Sequence, residues 1–279
     1  MLRLRLLSAA VLIPLVAVIL LAGHPWLGLL VLVIAALAAR EVFTLLAAAG
    51  TPTEPALGPA IALVIVGGAW LLGARLGEVW LLAALGLVVA AIGAAQRFDP
   101  QEGFRVWQGT VFGAFYVGLL AFLLLLAADR TPLPAGSALA PWLDSGRAWL
   151  LTGVLAVWAY DSGAYLAGRT WGRRGFMTHI SPHKTWEGVI GGIVLAIATT
   201  FVTLSMAGAW VPGALLLGPL VAIAAQAGDL AESMLKRAAG AKDSGQLIPG
   251  HGGMLDRIDS IMFAGPVVYF YVLLLGPAR

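Results

Sequence analysis

Between Gly188 and Gly228 the chain runs for 41 residues without a single Asp, Glu, Lys or Arg. A helix needs roughly 20 mostly apolar residues to cross the hydrocarbon of a bilayer, so this run is long enough for two crossings. Gly208, Pro212 and Gly213 break it near its middle, at Ala207–Gly213. Leu6–Gly23, Pro55–Ala74 and Val106–Ala128 are uncharged as well. A very hydrophobic soluble α/β chain would instead show apolar runs of about 4–8 residues between turns. The composition is 60% hydrophobic and 11% charged, against about 25% charged in an ordinary soluble domain. Within lipid every backbone group must be satisfied by a helix or a closed barrel. The fold class read from these runs is all-α, a polytopic membrane bundle.

Nine spans are expected, near residues 6–23, 26–48, 56–74, 79–95, 105–128, 148–168, 187–207, 211–229 and 258–277. In the second, Arg40 and Glu41 lie in the last turns and are expected to snorkel to the membrane edge. Nine spans put the N-terminus and the even-numbered loops on one side. That side holds Arg3, Arg5, Arg40, Arg97, Arg105, Arg169, Arg173, Arg174, Lys184, Lys236, Arg237, Lys242 and Arg257. The other holds Arg75, Arg130, Arg147 and Arg279. The bias places the first group in the cytoplasm. Arg3 and Arg5 before an apolar stretch resemble a signal peptide, but no clear small-residue cleavage site follows, so the first helix is expected to be retained. The absence of cysteine excludes disulfides and thiolate metal sites.

Residues 1–130 carry scattered charges at helix ends and read as scaffold. Residues 131–279 carry the chemistry. Asp161 lies inside a span, where a carboxylate is costly and typically faces a cavity or a partner such as Arg169 or Ser162. Next comes Ser181-Pro182-His183-Lys184-Thr185-Trp186-Glu187-Gly188, in which Ser181 or Thr185 can cap a helix starting near Trp186. The segment from Gln226 to Ser260 is the richest. Asp229, Ser233 and Lys236 or Arg237 share a face at helical spacing, and Asp256 and Asp259 share another. Between them, Pro249-Gly250-His251-Gly252-Gly253 offers glycines whose N–H groups can approach an anion. Carboxylates without Cys suit Mg²⁺, which takes one or two of them plus substrate phosphates. All three lysines of the chain, Lys184, Lys236 and Lys242, fall in these two segments; lysine meets a phosphate as a point charge.

The segment Ser233-x-Leu235-Lys236-Arg237-x4-Lys242-Asp243-x-Gly245-x2-Leu247-Ile248-Pro249-Gly250-His251-Gly252-Gly253-Met254-x-Asp256-Arg257-Ile258-Asp259 resembles the signature of the phosphatidate cytidylyltransferase (CDP-diacylglycerol synthase) family. The segments around Asp161 and Ser181–Gly188 also resemble that family, and the motif-bearing similarity covers roughly residues 155–265. The resemblance implies Mg²⁺-dependent transfer of a cytidylyl group from CTP to phosphatidic acid at the cytoplasmic face of the inner membrane, releasing pyrophosphate. It implies metal held by Asp229 and Asp256. Residues and resemblance together assign Lys236, Lys242, Asp243 and Asp161 to catalysis. They assign Ser181, Lys184, Thr185, Glu187, Ser233, Arg237, His251, Gly252, Gly253 and Arg257 to the substrates. Asp229, Asp256 and Asp259 are assigned to Mg²⁺, with room for a second cation.

The expected partners are CTP, phosphatidic acid and membrane lipid, and not nucleic acid. Gly188, Gly191 and Gly192 allow close helix packing within the chain or across a homodimer. Rival readings are a CTP-dependent lipid kinase, a CDP-archaeol synthase and an ion-coupled transporter using Asp161. The last would call for paired repeats that the sequence lacks.

Overall fold

The computed structural model describes residues 2–73, 75–209, 211–247 and 252–275, with side chains from residue 10 onward. Ten α-helices follow one another: α1 Leu2–Ala22, α2 Trp26–Ala48, α3 Leu57–Leu72, α4 Leu76–Ala94, α5 Pro100–Gly118, α6 Ala121–Ala127, α7 Ser145–Trp171, α8 Trp186–Ala207, α9 Ala214–Ala238 and α10 Leu255–Leu275. Among the described residues there is no strand. Two isolated bridges, Pro132 with Asp144 and Gly175 with Thr185, close loops.

Each expected span meets a helical segment, with α5 and α6 together filling the fifth. Among the described residues six segments are long and apolar enough to cross a membrane: α2, α4, Pro100–Ala127, α8, Val211–Ala238 and α10. The other three expected spans coincide with α1, the 16-residue α3, and the 27-residue α7, which carries Arg147, Asp161 and Arg169. Only 22% of the apolar window of α4 is buried, leaving Trp80, Leu81, Leu85 and Ile92 outward. Exposed to water, such a face would cost about 25 cal/mol per Å²; in hydrocarbon it costs nothing. This is a multi-pass membrane protein.

Local sequence sets the helix ends. Asp99 caps α5 by accepting from the Gln101 N–H at 3.1 Å, with Pro100 at the first helical position. Asp144 caps α7 through the Arg147 N–H at 3.0 Å. Thr185 caps α8 through the Gly188 N–H at 3.2 Å, one of the two caps expected there. At Gly208 the left-handed conformation (φ 68°) ends α8 where the long uncharged run was expected to break.

The residues form two compact units, Met1–Leu125 with Met234–Ile258, and Leu126–Ser233 with Asp259–Arg279. In the first, Ala35, Ala38, Val42, Val66, Ala114 and Val117 are fully buried along α2, α3 and α5. In the second, Trp149, Tyr160, Leu204, Leu217, Val221 and Tyr271 belong to one apolar core. There α7 and α8 touch backbone to backbone. A Cβ on Gly163 would lie 2.8 Å from the Gly191 carbonyl, and one on Gly188 would lie 2.8 Å from that of Ala164. The glycines of the seventh span therefore serve packing inside the chain.

One expectation needs correcting. The eighth span was expected to end near residue 229, yet α9 continues to Ala238. Its 25 residues span about 37 Å at 1.5 Å per residue, more than the roughly 30 Å hydrocarbon core. The charged turns after Gly228 can therefore stay helical, because Asp229, Glu232, Lys236 and Arg237 lie at the end that outruns the lipid.

Candidate active site

The sequence-predicted residues fall into two clusters, one in each unit. The first is built around the head of α10. The opening N–H groups of a helix have no intrahelical acceptors, and here carboxylates and a hydroxyl supply them. The Gly253 N–H donates to Asp256 Oδ2 at 2.8 Å, and the Asp256 N–H donates to Ser244 Oγ at 3.3 Å. The Met254 and Leu255 N–H groups donate to Glu41 Oε1 and Oε2, at 2.9 and 2.8 Å. Ser244 Oγ lies 2.9 Å from both Glu41 Oε2 and Asp256 Oδ2, while the Ser244 N–H donates to Asp256 Oδ2 at 2.9 Å. Lys236, in the last turn of α9, donates from Nζ to Asp256 Oδ1 at 2.7 Å. The Lys236 and Asp256 side chains are only 13% and 7% exposed, so this is a buried ion pair.

Two glycines make room for Glu41. A Cβ on Gly253 would meet Ser244 Oγ at 2.2 Å and a Glu41 oxygen at 2.5 Å; one on Gly245 would meet Glu41 Oε1 at 2.7 Å. Gly252 sits at φ 82°, a conformation that favours glycine. In the described part of the glycine turn, the anions met by the Gly253, Met254 and Leu255 amides are the protein's own carboxylates. Pro249, Gly250 and His251 lie outside the described residues. Overpacking of this kind typically costs about 1–3 kcal/mol. Gly253→Ala is therefore expected to lower the thermal midpoint of the purified protein by several degrees; an unchanged midpoint would mean that Glu41 yields freely.

Glu41, expected to snorkel from α2, has a specific partner: its carboxylate faces the head of α10 and caps it. The signal was there, since a carboxylate inside an apolar span is costly unless partnered. The partner residues, more than 200 positions away, could not be named. Also around α10, Lys242, Asp243 and Arg257 are exposed, and the Arg237 guanidinium donates to the Ala241 carbonyl at 3.3 Å.

The second cluster is built by α7, α8, α9 and the loop before α8. Lys184 Nζ lies 2.6 Å from Asp229 Oδ2, and Ser233 Oγ donates to Asp229 Oδ1 at 3.3 Å, one helical turn along α9. The loop that carries Lys184 is fastened at both ends. Glu187 Oε2 accepts the Arg173 and Arg174 N–H groups at 3.1 and 3.2 Å, and Phe176 N–H donates to the Lys184 carbonyl at 2.8 Å. The Ser181 carbonyl accepts the Lys184 N–H at 3.3 Å, and Phe176 packs edge-on against Trp186. Glu187 thus holds the loop and Thr185 the helix, so that Lys184 reaches Asp229.

Asp161 is exposed on α7, one residue beyond Tyr160, whose hydroxyl donates to Gln226 Oε1 at 2.7 Å. Arg169, weighed as a partner for Asp161, donates instead to the Tyr165 hydroxyl at 2.9 Å. Asp259 is placed by close helix approach, because a Cβ on Gly228, next to Asp229, would lie 2.4 Å from the Asp259 carbonyl. Glu232 on α9, which sequence reading passed over, is only 1% exposed.

The chain is 45% identical over 133 residues to a phosphatidate cytidylyltransferase of Haemophilus influenzae, covering 45% of this chain and 46% of the relative. It is 48% identical over 139 residues to one of Synechocystis, covering 46% and 45%. It is 36% identical over 193 residues to one of Brucella suis, covering 68% and 65%. The chain spans about half the length of most curated relatives it matches. The profile of the cytidylyltransferase family matches residues 3–275, nearly the whole length, and this chain belongs to that family.

Proposed function

We propose that this protein transfers the cytidylyl group of CTP to phosphatidic acid, forming CDP-diacylglycerol and pyrophosphate at the cytoplasmic face of the cell's inner membrane. The observation that carries this reading is the buried Lys236–Asp256 pair inside the Ser233–Asp259 segment. There the family-like signature becomes a positioned carboxylate and ammonium rather than a solvated loop. The names of the relatives support the choice of substrates.

The chemistry asks little of covalent catalysis. The attacking group is the lipid's own phosphate monoester, largely ionised near neutral pH because its second pKa is about 6. An oxygen of that phosphate attacks the α-phosphorus of CTP, and the bond to the β-phosphate oxygen breaks. The obstacle is the meeting of two polyanions and the charge left on pyrophosphate. Lys242 and Arg257, exposed beside the head of α10, are suited to draw the triphosphate in. Lys236 and Lys184 are held near carboxylates as compact cations that can shift toward phosphate. Asp161 and Asp243 are the remaining exposed carboxylates assigned here.

The residues fit Mg²⁺ by donor chemistry: carboxylate and hydroxyl oxygens with no sulfur. Among the described residues no three Asp, Glu or His converge as a closed cage. An ion held by one or two carboxylates with substrate phosphates needs none. Asp256 in one unit, and Asp229 and Asp259 in the other, are the carboxylates that would hold such an ion. Its chemistry there would be neutralisation of phosphate charge.

Purified protein in lipid, given CTP, phosphatidic acid and Mg²⁺, is expected to yield CDP-diacylglycerol and pyrophosphate in equal amounts. Release of CDP with a phosphorylated lipid would identify a kinase instead. Substrate-dependent uptake in proteoliposomes without turnover would identify a transporter.

A further inference from the structure

We propose that Glu41 is a positioning residue for this reaction, holding the head of α10, and with it Asp256, from the distant helix α2. The inference rests on the cytidylyl-transfer reading above and adds a residue that lies outside the signature segment.

The argument starts from cost. Glu41 sits seven residues before the end of the apolar helix α2, where a lone carboxylate is costly. The structure offsets this with three donors, the Met254 and Leu255 N–H groups and the Ser244 hydroxyl, all within 2.9 Å. A negative charge is also favoured at a helix N-terminus. Two glycines, Gly245 and Gly253, are stripped of side chain where a Cβ would collide with the carboxylate. Three features of the fold, the donors, the helix end and the two glycines, thus converge on one side chain.

What Glu41 holds is Asp256. The Leu255 amide adjoins it directly, and the Ser244 hydroxyl lies equally near Glu41 Oε2 and Asp256 Oδ2. That hydroxyl has one proton and can donate to only one of the two carboxylates at a time. When it donates to Glu41, Asp256 Oδ2 is left with its two N–H donors from Gly253 and Ser244, one for each lone pair. Glu41 therefore fixes the position of Asp256 and competes for the proton that would otherwise occupy it.

The test compares Glu41→Gln, Glu41→Asp and Ser244→Ala with the wild-type protein in lipid. Glu41→Gln keeps the shape but turns an NH₂ group toward one of the two amides. Its kcat is expected to fall about 100-fold, the scale set by a misplacement of about 1 Å, with the KM for CTP changed less than threefold. Hydrogen exchange at residues 253–257 should quicken while exchange in α3–α5 stays as in the wild type. Glu41→Asp, which keeps both acceptors on a shorter arm, should fall between the two. Glu41→Gln combined with Ser244→Ala should lose less than the product of the single losses, because both act through one contact.

Wild-type kcat and wild-type exchange in Glu41→Gln would overturn the inference. So would slowed turnover with multiplicative losses and exchange raised evenly across the protein, which is what general destabilisation gives. If Glu41→Gln does not fold, Glu41→Asp decides: a several-fold fall in kcat at constant KM supports the proposal, and wild-type kcat overturns it. A wild-type protein without cytidylyl transfer would overturn the underlying reading of function, and the present inference with it.

Discussion

A Lys236→Met variant is expected to lose about 3–5 kcal/mol of stability, because removing one partner of a buried ion pair strands the other charge. Asp256 would be left 7% exposed, with amide and hydroxyl donors but no cation. Combining Lys236→Met with Asp256→Asn removes both charges and should recover much of that loss in thermal or denaturant unfolding. Activity should not follow stability. Asp256→Asn and the double variant should both turn over about 10²–10³ times more slowly than wild type, the usual scale for losing one preorganised electrostatic group. Activity recovering together with stability in the double variant would make the pair purely structural.

The Lys184–Asp229 pair should behave in the opposite way. Its separation is only 2.6 Å, but the Asp229 side chain is 39% exposed, and a pair open to solvent contributes about 1 kcal/mol or less. Asp229→Asn and Lys184→Met are therefore expected to unfold close to the wild-type midpoint while losing orders of magnitude in kcat. If Asp229 holds Mg²⁺, raising the Mg²⁺ concentration should rescue part of the loss in Asp229→Asn and none of it in Lys184→Met. Near-normal turnover of Asp229→Asn at limiting Mg²⁺ would remove Asp229 from the metal site. Both pairs are thus expected to matter for turnover, and only the Lys236–Asp256 pair to matter for stability as well.

The two pairs also differ in how they arise. Lys236 and Asp256 flank one turn-rich segment and are 20 residues apart, so a short-range reading places them on successive helices. Lys184 and Asp229 are joined across α8. Their meeting depends on the loop that Glu187 and the Gly175–Thr185 bridge close.

The sequence by itself determined the class of the protein, because lipid leaves a chain so few ways to satisfy its backbone. Uncharged runs of spanning length had to become helices, and the breaks at Gly208 and Pro212 had to fall where they did. It also located the charged segments around Lys184 and from Asp229 to Asp259, since charged side chains are too costly in lipid to scatter. What sequence could not supply was partnership. Gly253 read as part of a phosphate turn, yet the carboxylate that it and Gly245 admit is Glu41. The extension of α9 to Ala238 showed only in the helical spacing of Asp229, Ser233 and Lys236, because a polar helical turn and a polar loop share the same composition. Periodicity and hydropathy act over a few neighbouring residues, whereas the hydrogen bond from Ser244 to Glu41 spans 203 positions. Only the tertiary structure, bringing α2 against the head of α10 within one unit, decides which carboxylate holds that helix.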